Sequence, residues 1–161
     1  MKTESPACVV VADQSEARIL LMRGATMRLA ARLENPSAHL HDRDLKSDRP
    51  GRVFDRATGA GLRRGAVGHH ATGGERKPRR QLEIAFARSI AAATAASRRD
   101  SGFDRLVLVA GPRFLGLLRR AMPATLRARV IAEIRKDWVH LPTATLRLRV
   151  ASAARRTARR P

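Results

Sequence analysis

The chain has few of the residues that build disulfide frameworks or aromatic binding platforms. Its 161 residues include one cysteine, one tryptophan, four phenylalanines and no tyrosine. A single cysteine cannot form an internal disulfide, so the sequence does not indicate an oxidising compartment. The scarcity of aromatic rings argues against a module that stacks single-stranded bases on aromatic side chains.

Long apolar runs are also missing. No stretch approaches the roughly 18 apolar residues of a membrane-spanning helix. The run ACVVVA at 7–12 is shorter than the apolar region of a signal peptide, which needs about 7 to 15 residues, and Glu4 precedes it. We expect Cys8, which lies in this run, to be a buried side chain rather than a reactive thiol. The sequence therefore predicts a soluble, cytoplasmic protein without a membrane span.

Acidic residues are scarce relative to basic ones. Lys and Arg together number 33 against 14 Asp and Glu, which gives a net charge of +19. Such an excess attracts polyanions such as nucleic acid. Most of the cations are arginine in a chain rich in alanine and glycine, so the composition of a GC-rich genome is the alternative explanation. No acid follows Asp137, whereas arginines continue to the end of the chain: Arg147, Arg149, Arg155, Arg156, Arg159 and Arg160.

The first third of the chain has the pattern of three short strands. The run at 7–12 is rich in β-branched residues, and a second predicted strand covers 17–22. The third, at 27–34, alternates apolar and polar positions, as a strand with one buried face does. Short connections predict an antiparallel meander. The apolar positions of the third strand are Met27, Leu29, Ala31 and Leu33.

The second half alternates helices and strands, which predicts parallel strands joined by helices. We therefore predict an α/β fold with a single compact domain at 1–150 and a basic, arginine-rich tail at 151–161. Its mixed β-sheet combines the N-terminal meander with βαβ units and is flanked by helices. The predicted elements are a helix at 79–97, a strand at 103–110, a helix from Gly111-Pro112, a short helix at 124–129, a strand at 130–134 and a helix capped by Thr143 that ends near Val150.

A long charged loop at 36–78 separates the two halves. Its segment HLHDRDLKSDRPGRVFD, at 39–55, contains histidines, acids and bases but almost no apolar residue before Val53. A connection of this length in a compact domain is either functional or disordered. We therefore expect the function to lie in this loop and its flanks.

Two kinds of site are conceivable in the loop. His39, His41, Asp42 and Asp44 offer imidazole and carboxylate ligands that could hold a divalent metal for hydrolysis. Neutralisation of the aspartates by neighbouring Arg and Lys in an ordered loop explains the same residues, and we favour it. We predict no cofactor and no catalytic residue, because the spacing supports no Ser-His-Asp or Cys-His arrangement.

Cations gather where the predicted helix near residue 79 begins. Free N–H groups and the helix dipole favour anions at such a position. We predict phosphate contacts from this cluster and from cations of the charged loop, with a solvated run of charges at the helix start as the alternative. The candidate RNA-binding residues are Arg43, Lys46, Arg49, Arg52, Arg76, Lys77, Arg79 and Arg80.

Four segments of the sequence carry a resemblance to a known family. In the family's order they are VADQSEARIL, ARLENPSAHLHDRDLKSDRPGRVFD, FDRLVLVAGPRFLGLLR and IAEIRKDWVHLP. Together they resemble the bacterial host attachment protein family, which is named for a proposed role in attachment to host cells. That family is similar to the middle domain of eukaryotic and archaeal peptide-chain release factors. The resemblance implies a compact α/β domain and, by analogy, association with the ribosome.

The chain departs from the release-factor pattern at one position. The release-factor domain has a Gly-Gly-Gln loop before a helix, and its glutamine supports peptidyl-tRNA hydrolysis. This chain has Gly73-Gly74-Glu75 in a comparable place. Glutamate lacks the amide donor, so release activity is not expected. The tripeptide is either a degenerate form of that loop or a coincidence in a glycine-rich segment.

Three functions are therefore compatible with the sequence. The first, which we favour, is a non-catalytic module that binds the ribosome or structured RNA. The second is a factor for attachment to host cells or surfaces without RNA binding, and only the family name supports a host-cell surface as partner. The third is a metal-dependent hydrolase that uses the cluster from His39 to Asp44.

Overall fold

A computed structural model describes residues 5–39 and 76–158 of the chain. In these ranges five strands form one mixed sheet with the order β3-β2-β1-β4-β5. The strands are β1 (Ala7–Ala12), β2 (Glu16–Arg23), β3 (Thr26–Glu34), β4 (Arg105–Ala110) and β5 (Val130–Ile134). The α-helices are α1 (Arg76–Ser101), α2 (Pro112–Ala121), α3 (Ala124–Arg127) and α4 (Thr143–Ala158).

The topology confirms the predicted mixed α/β fold. Strands β1, β2 and β3 form an antiparallel meander, whereas β4 runs parallel to both β1 and β5. Gly24, with a φ of +55°, lies in the turn between β2 and β3, where a residue without a Cβ adopts a left-handed conformation at little cost. None of the helices in the described ranges is long and apolar enough to cross a membrane.

Alternate residues of the central strands face two separate apolar clusters. On one side Val10, Ile19 and Leu108 pack beneath α1 and α2, and we call this side the α1–α2 face. On the other side Val9 and Val107 pack beneath α4, and we call it the α4 face. Both clusters are buried, so the sheet forms the middle of a three-layer structure.

The predicted single apolar face of the third strand is wrong. Its pairing with β2 shifts between Ile19 and Leu20, because Ala30 is an extra residue, a β-bulge. Ala31 and Leu33 therefore pack on the α1–α2 face, whereas Met27 packs on the α4 face. Leu29 is 49% exposed. The four apolar residues of the alternating pattern do not share one face.

Helix boundaries differ from the sequence prediction at several points. Helix α1 begins at Arg76 rather than 79, and the first residues of the predicted loop, Pro36–His39, form a 3-10 helix. Helix α1 ends only at Ser101, where Gly102 has a φ of +66° and donates its N–H to the Arg98 carbonyl. Helix α3 is shorter than predicted, and β4 begins after Phe103, which is nevertheless fully buried.

The last helix continues past Val150 to Ala158. It begins at the predicted Thr143, but the carbonyl of Pro142 accepts the first helical hydrogen bond, from Leu146. The Thr143 hydroxyl instead accepts a hydrogen bond from Arg18. Pro142 therefore occupies the cap position that the sequence suggested for Thr143.

Candidate functional site

The carboxyl ends of the parallel strands meet at one edge of the sheet. Asp13 follows β1, Gly111 follows β4, and Asp137 lies three residues beyond the end of β5. These residues line one cleft of about 230 Å³, which we call the strand-end cleft. Open α/β sheets bind ligands in such crevices outside the carboxyl ends of their strands. The remaining lining residues are Gln14, Glu83, Pro112, Arg113 and Phe114.

The turn after β1 fixes the orientation of Asp13. Its Oδ1 accepts hydrogen bonds from the Ser15 and Glu16 N–H groups, at 2.7 and 2.8 Å, and from the Ser15 hydroxyl at 2.8 Å. Its Oδ2 lies 3.8 Å from Nε2 of His140, whose Nδ1 is 3.2 Å from Oε1 of Glu16. Asp13 therefore has one oxygen engaged in its own turn and one turned toward His140.

Arg18 connects β2 to the segment that carries Asp137 and His140. Its guanidinium donates to the carbonyls of Val139 and Leu141, at 3.0 and 2.6 Å, and to the Thr143 hydroxyl at 2.7 Å. The planar guanidinium can direct donors to several acceptors at once, which a lysine ammonium does less well. One partly buried side chain thus positions the chain between β5 and α4.

A second cleft lies between α1 and α2, and we call it the arginine cleft. It encloses about 220 Å³. Arg113 donates to Oε2 of Glu83 at 2.9 Å, with the Glu83 side chain 6% exposed and the Arg113 side chain 76% exposed. The buried carboxylate therefore holds a guanidinium whose other donors face solvent. The cleft is lined by Arg80, Glu83, Arg113, Gly116, Leu117 and Arg120.

The two clefts are adjacent, because Glu83 and Arg113 line both. Phe86 of α1 and Phe114 of α2 join the two helices, with ring centroids 6.1 Å apart. The arginine cleft presents the guanidiniums of Arg80, Arg113 and Arg120, and the strand-end cleft presents the carboxylates of Asp13 and Asp137. Such an arrangement can bind an anion at one end and hydrogen-bond donors at the other.

Residues 8–150 match the model of a protein family described as required for attachment to host cells. The chain belongs to that family. The match spans both clefts, since Asp13, Glu83, Arg113 and Asp137 all lie inside it. No curated protein sequence matches the chain. The predicted resemblance to the host attachment family is thereby confirmed.

Two solved structures are similar to the chain at low identity. One, an archaeal protein, is 8% identical with a TM-score of 0.43, and the match covers 96% of this chain and 39% of that one. The other is an archaeal translation termination factor, 7% identical with a TM-score of 0.45, and the match covers 96% of this chain and 40% of that one. The host attachment family chain thus spans about two fifths of each structure.

Part of the predicted phosphate-binding cluster lies in the arginine cleft of this host attachment family member. Arg79 and Arg80 are exposed near the start of α1, and Arg80 lines the cleft. Arg76 and Lys77 lie in the first turn of α1. Outside the described residues are the other candidates: Arg43, Lys46, Arg49, Arg52, His41, Asp42, Asp44 and Gly73-Gly74-Glu75. His39 ends the 3-10 helix.

Sequence reasoning missed Glu83, Arg113, Arg120 and the two strand-end aspartates. A signal was present, because Arg113 and Arg120 are seven residues apart, two helical turns, and so share a face of α2. The partner face on α1 follows only from packing. In residues 5–39 and 76–158, no group of three or more His, Cys, Asp or Glu is arranged to hold a metal ion.

Cys8 is fully buried in β1, as the sequence predicted. Burial raises the pKa of its thiol from 9.0 to about 12, because the thiolate would lose its hydration. The thiol is therefore protonated near neutral pH and is a poor nucleophile.

Proposed function

We propose that this domain is a non-catalytic module that binds structured RNA, with the ribosome as its candidate partner. The arginine cleft carries the proposal. Three arginines and one glutamate line it, and the glutamate pairs with Arg113 alone, so the cleft is positively charged overall. Arginine is well suited to phosphate groups, since its planar donors bind phosphate oxygens in pairs.

The Glu83–Arg113 pair favours binding by restricting one arginine before the ligand arrives. Free arginine side chains lose rotamer entropy when they bind a phosphate. Arg113 is already held through one of its amino groups by a buried carboxylate. A guanidinium in a fixed position makes the remaining contacts with a smaller entropic cost.

Helix α1 adds to the positive potential at this end of the molecule. Its first turn contains no acidic residue, and Arg79 and Arg80 are exposed there. The partial positive charge of a helix N-terminus attracts anions. Arg43, Lys46, Arg49 and Arg52, which lie outside the described residues, and Arg76 and Lys77 remain predicted phosphate contacts.

Co-sedimentation with bacterial ribosomes tests the proposal. The alternative is that the +19 charge reflects genomic composition and has no role in binding. The test variant is Arg80→Ala/Arg113→Ala/Arg120→Ala. The matched control, Arg23→Ala/Arg28→Ala/Arg127→Ala, removes the same charge from exposed positions near the amino ends of the parallel strands. Each protein is sedimented with ribosomes over roughly 50 to 300 mM salt, because phosphate contacts release counterions and make affinity fall with salt.

Saturable binding near physiological salt that is weakened at least tenfold in the cleft variant, but not in the control, is the expected result. Equal weakening in both variants would reduce the interaction to net charge. Circular dichroism of the cleft variant controls for folding, since removing Arg113 leaves the Glu83 carboxylate without its partner.

Attachment to host cells is a second candidate, favoured by the family description. The two functions are compatible if attachment is a downstream consequence of an effect on translation. Ribosome binding by the purified protein would support this order of events. Attachment that persists in a strain carrying the cleft variant would separate the two functions.

A further inference from the structure

We propose that the strand-end cleft binds the ribose of a nucleotide whose phosphate lies in the arginine cleft. The site would then select RNA over DNA through the 2′-hydroxyl. This inference rests on the proposed RNA binding and adds the chemical group by which the ligand is distinguished. It also assigns a role to Asp13 and Asp137, which phosphate binding alone leaves unused.

The lining of the strand-end cleft fits a sugar better than a second phosphate. Asp13 and Asp137 are hydrogen-bond acceptors that repel anions. The N-terminus of α2 opens into the same cleft, and its cap residue Gly111 has no side chain that could occupy the first backbone N–H groups. Backbone N–H groups there can donate to a hydroxyl oxygen. A ribose hydroxyl both donates and accepts, so it matches carboxylates and N–H groups together.

Both carboxylates retain acceptor capacity. Oδ1 of Asp13 is engaged in its turn, but Oδ2 has only His140 nearby, at 3.8 Å, which is beyond hydrogen-bond distance. Asp137 is exposed and makes no hydrogen bond or ion pair with the described residues at 5–39 and 76–158. Pro112 and Phe114 provide apolar surface between the polar groups.

The size and adjacency of the two clefts fit one nucleotide unit. Binding sites for small molecules occupy roughly 300 to 1,000 Å³. The arginine cleft, about 220 Å³, and the strand-end cleft, about 230 Å³, are each smaller than this. Since Glu83 and Arg113 line both clefts, the proposed ligand crosses this ion pair, with its phosphate toward Arg80 and Arg120 and its sugar toward Asp13.

The two aspartates also supply the energetic basis for selection. Carboxylates beside a phosphate site weaken the binding of every polyanion unless the ligand donates hydrogen bonds to them. RNA can donate from its 2′-hydroxyl, whereas DNA places a C–H group in the same position. One hydrogen bond to a charged group corresponds to a preference of about tenfold.

Fluorescence anisotropy with a labelled RNA hairpin and a labelled DNA hairpin of the same sequence tests the inference, with EDTA present so that no divalent cation bridges carboxylate and phosphate. The test variant is Asp137→Ala. Its matched control, Asp100→Ala, removes the same charge from an exposed position near the end of α1. Because both variants gain general attraction for polyanions, the measured quantity is the ratio of RNA to DNA affinity.

We expect the wild-type protein and Asp100→Ala to prefer the RNA hairpin by about tenfold, and Asp137→Ala to lose most of this preference. Equal affinity of the wild type for both hairpins would overturn the ribose assignment. The proposed function would still stand in that case if Arg80→Ala/Arg113→Ala/Arg120→Ala lost its affinity for the RNA hairpin. An RNA preference unchanged in Asp137→Ala would overturn the assignment of the selection to this cleft. Absence of wild-type binding to both hairpins would overturn the phosphate site, and the ribose site with it.

Discussion

Arg18 shows at the scale of one residue how the fold determines the position of the site. It lies in β2, yet its guanidinium reaches the carbonyls of Val139 and Leu141 and the hydroxyl of Thr143. These acceptors belong to the segment that holds Asp137 and His140. Without the guanidinium, that segment and the start of α4 would lose these three hydrogen bonds to β2.

Replacing Arg18 with alanine is expected to lower the free energy of unfolding by about 2–3 kcal/mol, since each hydrogen bond from a charged donor contributes measurably and three are lost. Arg18→Lys should cost about half as much, because an ammonium keeps the charge but not the planar set of donors. Urea denaturation measures both effects. Arg28→Ala, at an exposed position of β3, is the control and should change stability by less than about 0.5 kcal/mol.

The loss would be smaller than predicted if water replaced the guanidinium at these carbonyls. A cost for Arg18→Ala no larger than that of Arg28→Ala would mean that other contacts, such as the packing of Val139 and the approach of His140 to Glu16, hold the segment between β5 and α4.

The secondary-structure elements show which parts of the fold the sequence could predict. Periodicity and β-branched composition located all five strands in the described ranges, because these signals reflect burial on one or both faces. Helix ends were less predictable. Arg98, Arg99 and Asp100 look like a boundary in the sequence, but α1 continues through them to Ser101 before Gly102. Polar residues are common in helices, so the glycine was the more informative signal.

The bulge at Ala30 was not predictable, because an alternating pattern looks the same with or without an inserted residue. Its position on edge strand β3 is typical, since bulges modify edges that could otherwise pair with another chain. The shift moves Leu29 away from the face that Leu33 occupies.

This difference predicts unequal effects of two identical substitutions. Leu33→Ala should lower the free energy of unfolding by about 1–2 kcal/mol, because Leu33 packs against the α1–α2 face. Leu29→Ala should cost less than about 0.5 kcal/mol, because the side chain is 49% exposed. Chemical denaturation of the two variants measures the difference. Equal costs would indicate that both side chains share a face, as a strand without a bulge requires.

At the scale of the whole molecule, the candidate site was only partly predictable. The cations at the start of α1 followed from the sequence, because a helix N-terminus and a basic run are both local features. The approach of Arg113 and Arg120 to Arg80 depends on how α1 packs against α2, which the Phe86–Phe114 contact secures. Likewise, Asp13 and Asp137 line the same cleft only because β1, β4 and β5 are parallel neighbours.

The net charge of +19 also has consequences for the whole molecule. Self-repulsion destabilises a compact state, and salt screens it. The melting temperature should therefore rise when sodium chloride is increased from about 20 to 200 mM, a range in which the Debye length falls below roughly 10 Å. Phosphate at equal ionic strength should raise it further, because an anion bound to the folded state alone adds its binding free energy.

The additional rise in melting temperature in phosphate should depend on the arginine cleft rather than on the total charge. Arg80→Ala/Arg113→Ala/Arg120→Ala should retain the response to chloride and lose the additional increase in phosphate. Arg23→Ala/Arg28→Ala/Arg127→Ala, with the same net charge, should retain both. Phosphate also stabilises proteins through exclusion from their surfaces, and the control variant measures that contribution. Thermal unfolding in matched chloride and phosphate buffers measures these melting temperatures. An equal increase in phosphate for both variants would show that the cleft binds phosphate no better than the rest of the surface.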